Sequence, residues 1–282
     1  MWNNGFEGWY YKHQKGGKMV AFIPGRAKGG AFVQMLTPAG SRMFEVENFA
    51  VRGDTVEAGG CTFSPLGCSV ALPGVYGELS YGPITPLKSD IMGPFRFLPM
   101  ECRHGVVSMA HTIRGSITAD GVRQDFDGGT GYIEKDSGTS FPSAYLWLQC
   151  GDFSQPCSLM LSLARIPFCG ISFRGCICAV VYRGREYRFA TYNGVKILEA
   201  SPHRVCLARG GLLLDVGIQP SNGGHPLLSP EKGNMSGVIR ESGNAAVRAR
   251  LFDRGEPVFD LKSCRAVYEY FPGRREEILN NS

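Results

Sequence analysis

Residues 106–126 read VVSMAHTIRGSITADGVRQDF, and this stretch decides the class of fold. Val106–Thr118 is a long run rich in β-branched and apolar residues. It turns at Ala119-Asp120-Gly121 into a second run, Val122–Phe126. An Asp-Gly pair between two such runs signals a hairpin, because the turns that match the twist of paired strands need positive φ. Working outward, similar short runs recur on both sides. Trp9–His13, Met19–Ile23, Ala31–Leu36, Met43–Val46, Ser69–Leu72 and Gly77–Tyr81 precede it. Tyr145–Cys150, Ser158–Ile166, Ile177–Tyr182, Glu186–Thr191, Val205–Ala208, Leu212–Val216, Val238–Glu241, Ala246–Phe252, Val258–Asp260 and Ala266–Tyr270 follow. Gly-rich or Pro-rich turns separate them, at a spacing of roughly ten residues, the pattern of an antiparallel sandwich or barrel. The 38 glycines and 17 prolines follow no G-X-Y period and punctuate many short elements. One weak helical signal, Arg275–Leu279, reads better as a frayed tail.

The strand count exceeds the needs of one small barrel, so two β domains are expected. The Gly-rich segment Asp127-Gly128-Gly129-Thr130-Gly131 marks the boundary, giving residues 1–130 and 131–282. The formal charge of +5 is mild and scattered, with no run of like charges, which argues for a solvated surface and against nucleic acid. The N-terminus, Met1-Trp2-Asn3-Asn4-Gly5, lacks the basic and apolar regions of a signal peptide. No apolar run is long enough for a transmembrane helix. The expected compartment is the cytoplasm, and the ten cysteines are expected to be reduced and mostly buried. Cys61 and Cys68, Cys150 and Cys157, and Cys169 and Cys176 form no zinc-type spacing, and no metal is expected. G-x-x-x-x-G-K-[ST], H-E-x-x-H and G-x-S-x-G are all missing. The glycines at 128–131 are followed by no helix that could hold a phosphate.

Several blocks together resemble one family. They are Phe6-Glu7-Gly8-Trp9-Tyr10-Tyr11-Lys12, Ile91-Met92-Gly93-Pro94-Phe95 and Met100-Glu101-Cys102-Arg103-His104-Gly105. Gly131-Tyr132-Ile133-Glu134-Lys135-Asp136, Ser140-Phe141-Pro142, Trp147-Leu148-Gln149 and Ala190–Ile197 continue the series. In this order the chain resembles the tocopherol cyclase family in its bacterial branch, over nearly its whole length. The resemblance implies two lipocalin-like β domains. It also implies closure of a chromanol ring on a prenylated hydroquinone, with no cofactor. One departure stands out. The family's E-K-(D/N)-W-G block reads Glu134-Lys135-Asp136-Ser137-Gly138, so a serine replaces a large aromatic.

Such a ring closure needs an acid that keeps its proton in an apolar site, aromatic faces for the cation, and exclusion of water. In an extended chain Glu7, Trp9 and Tyr11 share one face, and Tyr132, Glu134 and Asp136 share another. Glu7, Glu134 and Asp136 are therefore the candidate acids, and Trp9, Tyr11, Tyr132 and Trp147 the candidate aromatic walls. Gln149, Asn193 and the Tyr192 hydroxyl are candidates to orient head-group oxygens. Each has a structural rival. Glu7 can pair with Lys135, Lys196 or an arginine; Glu134 needs a partner away from Lys135; Asn193-Gly194 is a turn dipeptide. His104 and His111 are an odd number apart and do not share a face of a regular strand, which argues against their ligating one metal together. Three functions compete: a cofactor-free cyclase or isomerase on a prenylated or similarly apolar substrate, a non-catalytic carrier of an apolar molecule, and a scaffold with a filled interior.

Overall fold

Asp120 and Gly121 both take positive φ, 50° and 79°, the double left-handed geometry of a two-residue hairpin turn. They join the two strands that the sequence places there. The computed structural model describes residues 5–168, 171–221 and 223–273; Arg275–Leu279 and Cys169 lie outside them. The described chain is nearly all strand and every pairing is antiparallel.

The first twelve strands are β1 (Phe6–Lys15), β2 (Lys18–Ala27), β3 (Gly30–Thr37), β4 (Gly40–Val46), β5 (Phe49–Arg52), β6 (Thr55–Ala58), β7 (Cys61–Ser64), β8 (Gly67–Leu72), β9 (Val75–Tyr81), β10 (Cys102–Ala119), β11 (Val122–Asp125) and β12 (Gly129–Gly138). They form one sheet in the order β4-β3-β2-β1-β12-β10-β9-β8-β7-β6-β5, with β11 on β10. The remaining ten are β13 (Tyr145–Cys150), β14 (Cys157–Phe168), β15 (Ile171–Tyr182), β16 (Arg185–Ala190), β17 (Lys196–Ser201), β18 (Arg204–Arg209), β19 (Leu212–Gln219), β20 (His225–Glu231), β21 (Asn234–Asp253) and β22 (Glu256–Phe271). Their order is β16-β15-β14-β13-β22-β21-β19-β18-β17, with β20 on β21. Both sheets have free ends along these paths, so neither closes into a barrel among the described residues.

The chain divides into two units. Unit 1 is Met1–Asp90, Met100–Phe141 and Leu227–Val238; unit 2 is Ile91–Pro99, Pro142–Pro226 and Ile239–Ser282. Position 130/131 lies inside β12, between β1 and β10 of unit 1. The glycines there serve close packing: a Cβ on Gly129 would stand 2.6 Å from the Gln14 carbonyl oxygen. Segment 227–238 is tied into unit 1 by backbone bonds, Lys28 N–H to the Gly233 carbonyl (2.8 Å) and Phe141 N–H to the Pro230 carbonyl (3.2 Å). The Gln34 amide adds two more, donating to the Leu228 carbonyl and accepting from its N–H.

Each unit has its own core. In unit 1, one sheet face buries Trp9, Tyr11, Val20, Phe22, Val33, Met35, Phe63, Val70, Phe126 and Ile133 together. In unit 2, Leu146, Leu148, Leu159, Leu161, Leu163, Phe189, Leu207, Leu214, Val247 and Leu251 do so. Residues alternate between faces along each strand, and in both units the central strands are buried on both. The nine described cysteines are free thiols, most of them buried. Burial pushes the Cys157 thiol up to about 12, so these groups pack as small apolar side chains.

Candidate functional site

The register of β1, β12 and β10 sorts the sequence candidates onto two faces. Tyr10 lies opposite Glu134, Lys12 opposite Tyr132, Gly8 opposite Asp136, and His104 opposite Asp136 on the other side. These residues share the face away from the unit 1 core. Glu7, Trp9 and Tyr11 share the core-facing side, with Lys135 and Ile133 opposite Trp9 and Tyr11. The two candidate sets therefore stand back to back across the sheet.

On the core-facing side, Glu7 is an ion-pair partner. Its Oε1 accepts from Arg26 Nε (2.7 Å) and meets Nη2 at 2.5 Å, while its Oε2 lies 3.4 Å from Lys135 Nζ. Lys135 in turn sits 4.2 Å from the Trp9 ring centroid, and Arg26 stands 5.3 Å over Phe49. Both oxygens of Glu7 are committed to cations, the rival role that the sequence allowed. Trp9 and Tyr11 are core residues, and burial raises the Tyr11 hydroxyl far above the ordinary phenol range.

On the other face, Tyr132, Glu134, Asp136 and His104 form one cluster. The Tyr132 hydroxyl donates to Glu134 Oε2 at 2.5 Å, and both residues are buried. His104 Nδ1 donates to Asp136 Oδ1 at 2.9 Å, and its Nε2 faces Glu134 Oε2 at 3.5 Å. The Cys102 thiol donates to Asp136 Oδ1 at 3.8 Å. Burial pulls the His104 pKa down, but the carboxylates of Glu134 and Asp136 and the Asp136 hydrogen bond outweigh it and hold it up to about 9. His104 is thus an imidazolium at neutral pH, gripped by one carboxylate and aimed at a second. The Tyr132 hydroxyl is pushed well above its ordinary range, first by burial and then by the Glu134 charge, so it stays a donor. The arrangement sets a protonated imidazole beside the buried carboxyl group of Glu134. The donor atoms of His104, Glu134 and Asp136 also lie within 4.8 Å of one another, which is compatible with a bound cation. Sequence reasoning weighed His104 as a structural histidine or a proton relay but could not set it beside Asp136, because the residue opposite Asp136 depends on strand order.

The remaining candidates belong to unit 2. Trp147 and Gln149 alternate with Leu146, Leu148 and Cys150 on β13, so they lie on the face away from that unit's core, and both are buried. Trp147 is opposite Glu269, which accepts a 2.7 Å hydrogen bond from the Tyr145 hydroxyl. Tyr192 and Asn193 sit in a 3-10 turn, Thr191–Asn193, that ends on Gly194 at φ 80°. Asn193 Oδ1 accepts from the Ala190 N–H (2.9 Å) and Nδ2 donates to the Arg188 carbonyl (3.3 Å). Its amide is spent on the turn. The Tyr192 hydroxyl accepts from Arg188 at 3.1 Å, and its ring lies where a Cβ on Gly93 would fall.

A second polar group lies within the unit 1 core. His13 Nε2 meets the Tyr81 hydroxyl at 2.6 Å, and the Tyr81 ring packs on His111 with centroids 4.4 Å apart. Burial lowers the His13 pKa to about 3 and the His111 pKa to about 4, so both rings are neutral. His111 and His104 take opposite faces, with Gly131 and Asp136 as their partners on β12; two register shifts lie between them, and together they leave the alternation as the odd spacing has it. No helix among the described residues is long and apolar enough to cross a membrane.

Comparison with known proteins agrees with this architecture. The structure is similar to that of a protein described as AttH from Nitrosomonas europaea, with a TM-score of 0.56 at 14% identity, covering 96% of this chain and 93% of that one. It is similar to kievitone hydratase from Nectria haematococca, with a TM-score of 0.52 at 10% identity, covering 95% and 89%. It is also similar to CghA solved with Sch210972, with a TM-score of 0.63 at 11% identity, covering 94% and 88%. At these identities the likeness establishes the fold. The sequence itself matches the family described as tocopherol cyclase-like over residues 76–269, well over half of the chain and including His104, Tyr132, Glu134 and Asp136. The chain belongs to the tocopherol cyclase-like family.

Proposed function

We propose that this protein is a cofactor-free acid catalyst that cyclises or isomerises a prenylated quinol or a similarly apolar isoprenoid substrate. The observation that carries the reading is the row Asp136–His104–Glu134–Tyr132, with Glu134 and Tyr132 buried and the other two partly so, in which a protonated imidazole faces a carboxyl. In the proposed step, Glu134 receives the His104 proton and passes it to the prenyl alkene. The C=C π pair forms the new C–H bond and leaves a tertiary cation. The phenol oxygen adds to that cation, forming the C–O bond, and its proton returns to the cluster, so the net change is an isomerisation. Asp136 positions His104, Tyr132 orients Glu134, and the ring faces of Tyr10 and Tyr132 on the same sheet face support the cation. Family membership favours capture by an internal hydroxyl; capture by water would give hydration through the same proton transfer.

The test is turnover of a prenylated hydroquinone, with the chromanol followed by mass spectrometry. Glu134→Gln and His104→Gln are each expected to lower kcat by about 10²–10⁴, the usual weight of acid–base assistance. Asp136→Asn is expected to cost less, and Glu7→Gln to leave kcat within about twofold. Unchanged turnover in both Glu134→Gln and His104→Gln would overturn the assignment, and binding without turnover in the wild type would favour a carrier.

A further inference from the structure

A short turn of unit 2 holds an aromatic ring out in water, although the turn itself is firmly seated. Gly93–Phe97 is a 3-10 turn that opens with Pro94 and buries none of its residues. The chain enters it from Ile91 and Met92, which are buried. The Phe95 N–H donates to the Met92 carbonyl (3.1 Å), and the Leu98 N–H to the Phe95 carbonyl (3.0 Å). The Phe95 ring packs against Phe173 and Tyr192, each with centroids 6.2 Å apart. Gly93 lies against Tyr192 at φ 53°, where a Cβ would fall 2.7 Å from the ring. Phe97 takes no part in these contacts and is 75% exposed. Beside it is Arg96, whose guanidinium carbon stands 4.6 Å from the Phe97 ring centroid. Arg96 has no ion pair or hydrogen bond among the described residues.

The contact between Phe95 and Phe173 sets this turn beside the end of the β14–β15 hairpin. There Ile166 pairs with Phe173, Pro167 with Ser172 and Arg165 with Arg174. Pro167 and Ser172 are exposed, and Arg165 Nε donates to Ser172 Oγ at 2.9 Å. Arg165 and Arg174 stand directly across from each other, and like charges so placed repel. Residues 91–99 and 165–175 together contain three arginines and no Asp or Glu. Glu186 reaches this cluster only through Arg188, which holds it at 2.7 Å and donates to the Tyr192 hydroxyl. The surface therefore combines an exposed ring with charge of one sign.

We propose that this end of unit 2 docks on an anionic lipid bilayer, with Phe97 in the headgroup layer and Arg96, Arg165 and Arg174 on lipid phosphates. A large apolar ring gains by leaving water for the boundary of the acyl chains. Each basic residue near an anionic surface adds attraction, and a guanidinium matches phosphate oxygens with paired hydrogen bonds. Phosphates beside Arg165 and Arg174 also relieve their mutual repulsion. A protein partner would have to bring a separate acid to each arginine, whereas a phosphate-covered surface meets all three at once. The contact is peripheral and needs no spanning segment. Docking of this kind brings the protein to where apolar molecules dissolve. It does not depend on the reaction proposed above, and its test uses no turnover.

The experiment is flotation of the full-length protein with vesicles of equal parts phosphatidylglycerol and phosphatidylcholine. Wild type is expected to float with them, and to bind phosphatidylcholine alone at least about fivefold less. High salt is expected to weaken the binding by screening the arginines. Phe97→Ser is expected to weaken partitioning about tenfold or more, and Arg96→Gln about fivefold. Phe97→Trp is expected to bind as wild type does and to show added indole quenching by lipids brominated on their acyl chains. Leu66→Ser, at an 80% exposed leucine between β7 and β8 of unit 1, is expected to change nothing. Wild type that stays behind, equal binding to phosphatidylcholine alone, Phe97→Ser that floats as well as wild type, or an equal loss in Leu66→Ser would each overturn the proposal. So would a wild-type dimer in sedimentation that Phe97→Ser dissolves, since a second copy would then be the occupant.

Discussion

At the scale of single residues, three histidines of one unit, His13 and His111 buried and His104 nearly so, titrate in opposite senses. His104 has its pKa raised to about 9, above the unfolded value of about 6.5. Its contribution to stability is full below pH 6.5 and lost as pH rises through 9, worth roughly 3 kcal/mol. His13 and His111 are lowered to about 3 and 4. The unfolded chain takes their protons first, so stability falls as pH drops below about 6.5. Urea unfolding is therefore expected to show a stability maximum near pH 6.5, and His104→Gln to flatten the alkaline limb alone. An alkaline limb as steep in His104→Gln as in wild type would show that the carboxylates do not hold the imidazolium. Glu7 differs in kind. Its loss strands Arg26 and Lys135, so Glu7→Gln is expected to lower stability by about 1–2 kcal/mol and leave the pH–rate profile unmoved.

At the scale of elements, β12 serves both polar groups. Its even positions hold Tyr132, Glu134 and Asp136, and Gly131 makes room for His111 on the opposite face. Gly131→Ala is expected to cost about 1–3 kcal/mol by overpacking. A double mutant with His111→Ala is expected to cost less than the two changes summed, read from thermal melts; strict additivity would mean the ring does not lean there. This strand also shows where sequence reading stops. The period of two correctly put Tyr132, Glu134 and Asp136 on one face, and the Asp120-Gly121 hairpin was legible from its turn chemistry. The Gly-rich segment 127–131, read from the sequence as a boundary, lies in the turn and strand start where neighbouring backbone and the His111 ring approach. The short strands β5, β6 and β7 have four residues each, too few for alternation to stand out. Asn193 was legible as a turn residue. The Glu7 ion pairs were legible as a possibility, but choosing Arg26 needed the register.

At the scale of the whole molecule, an all-β chain with two antiparallel sheets could be read from strand spacing and turns. The composition of each unit could not, because strand order is set by long-range pairing that leaves no local mark. Segment 227–238 is the plainest case. It follows β19 in sequence and belongs to unit 1 by contact, fixed in part by the buried Gln34 amide on the Leu228 backbone. Gln34→Leu leaves that N–H and carbonyl unpaired and is expected to destabilise unit 1 by about 2 kcal/mol or more, read from amide hydrogen exchange at Leu228 and its neighbours. Unchanged protection there would separate the segment from the unit. The function depends in the same way on residues that pairing brings together, with His104 from β10 and Glu134 from β12 meeting only in the sheet. The most direct test is turnover of a prenylated hydroquinone in deuterium oxide. Proton delivery to the alkene predicts chromanol carrying one carbon-bound deuterium, formed by wild type and almost absent with Glu134→Gln. Product without deuterium, or labelled product formed as fast by Glu134→Gln, would contradict it.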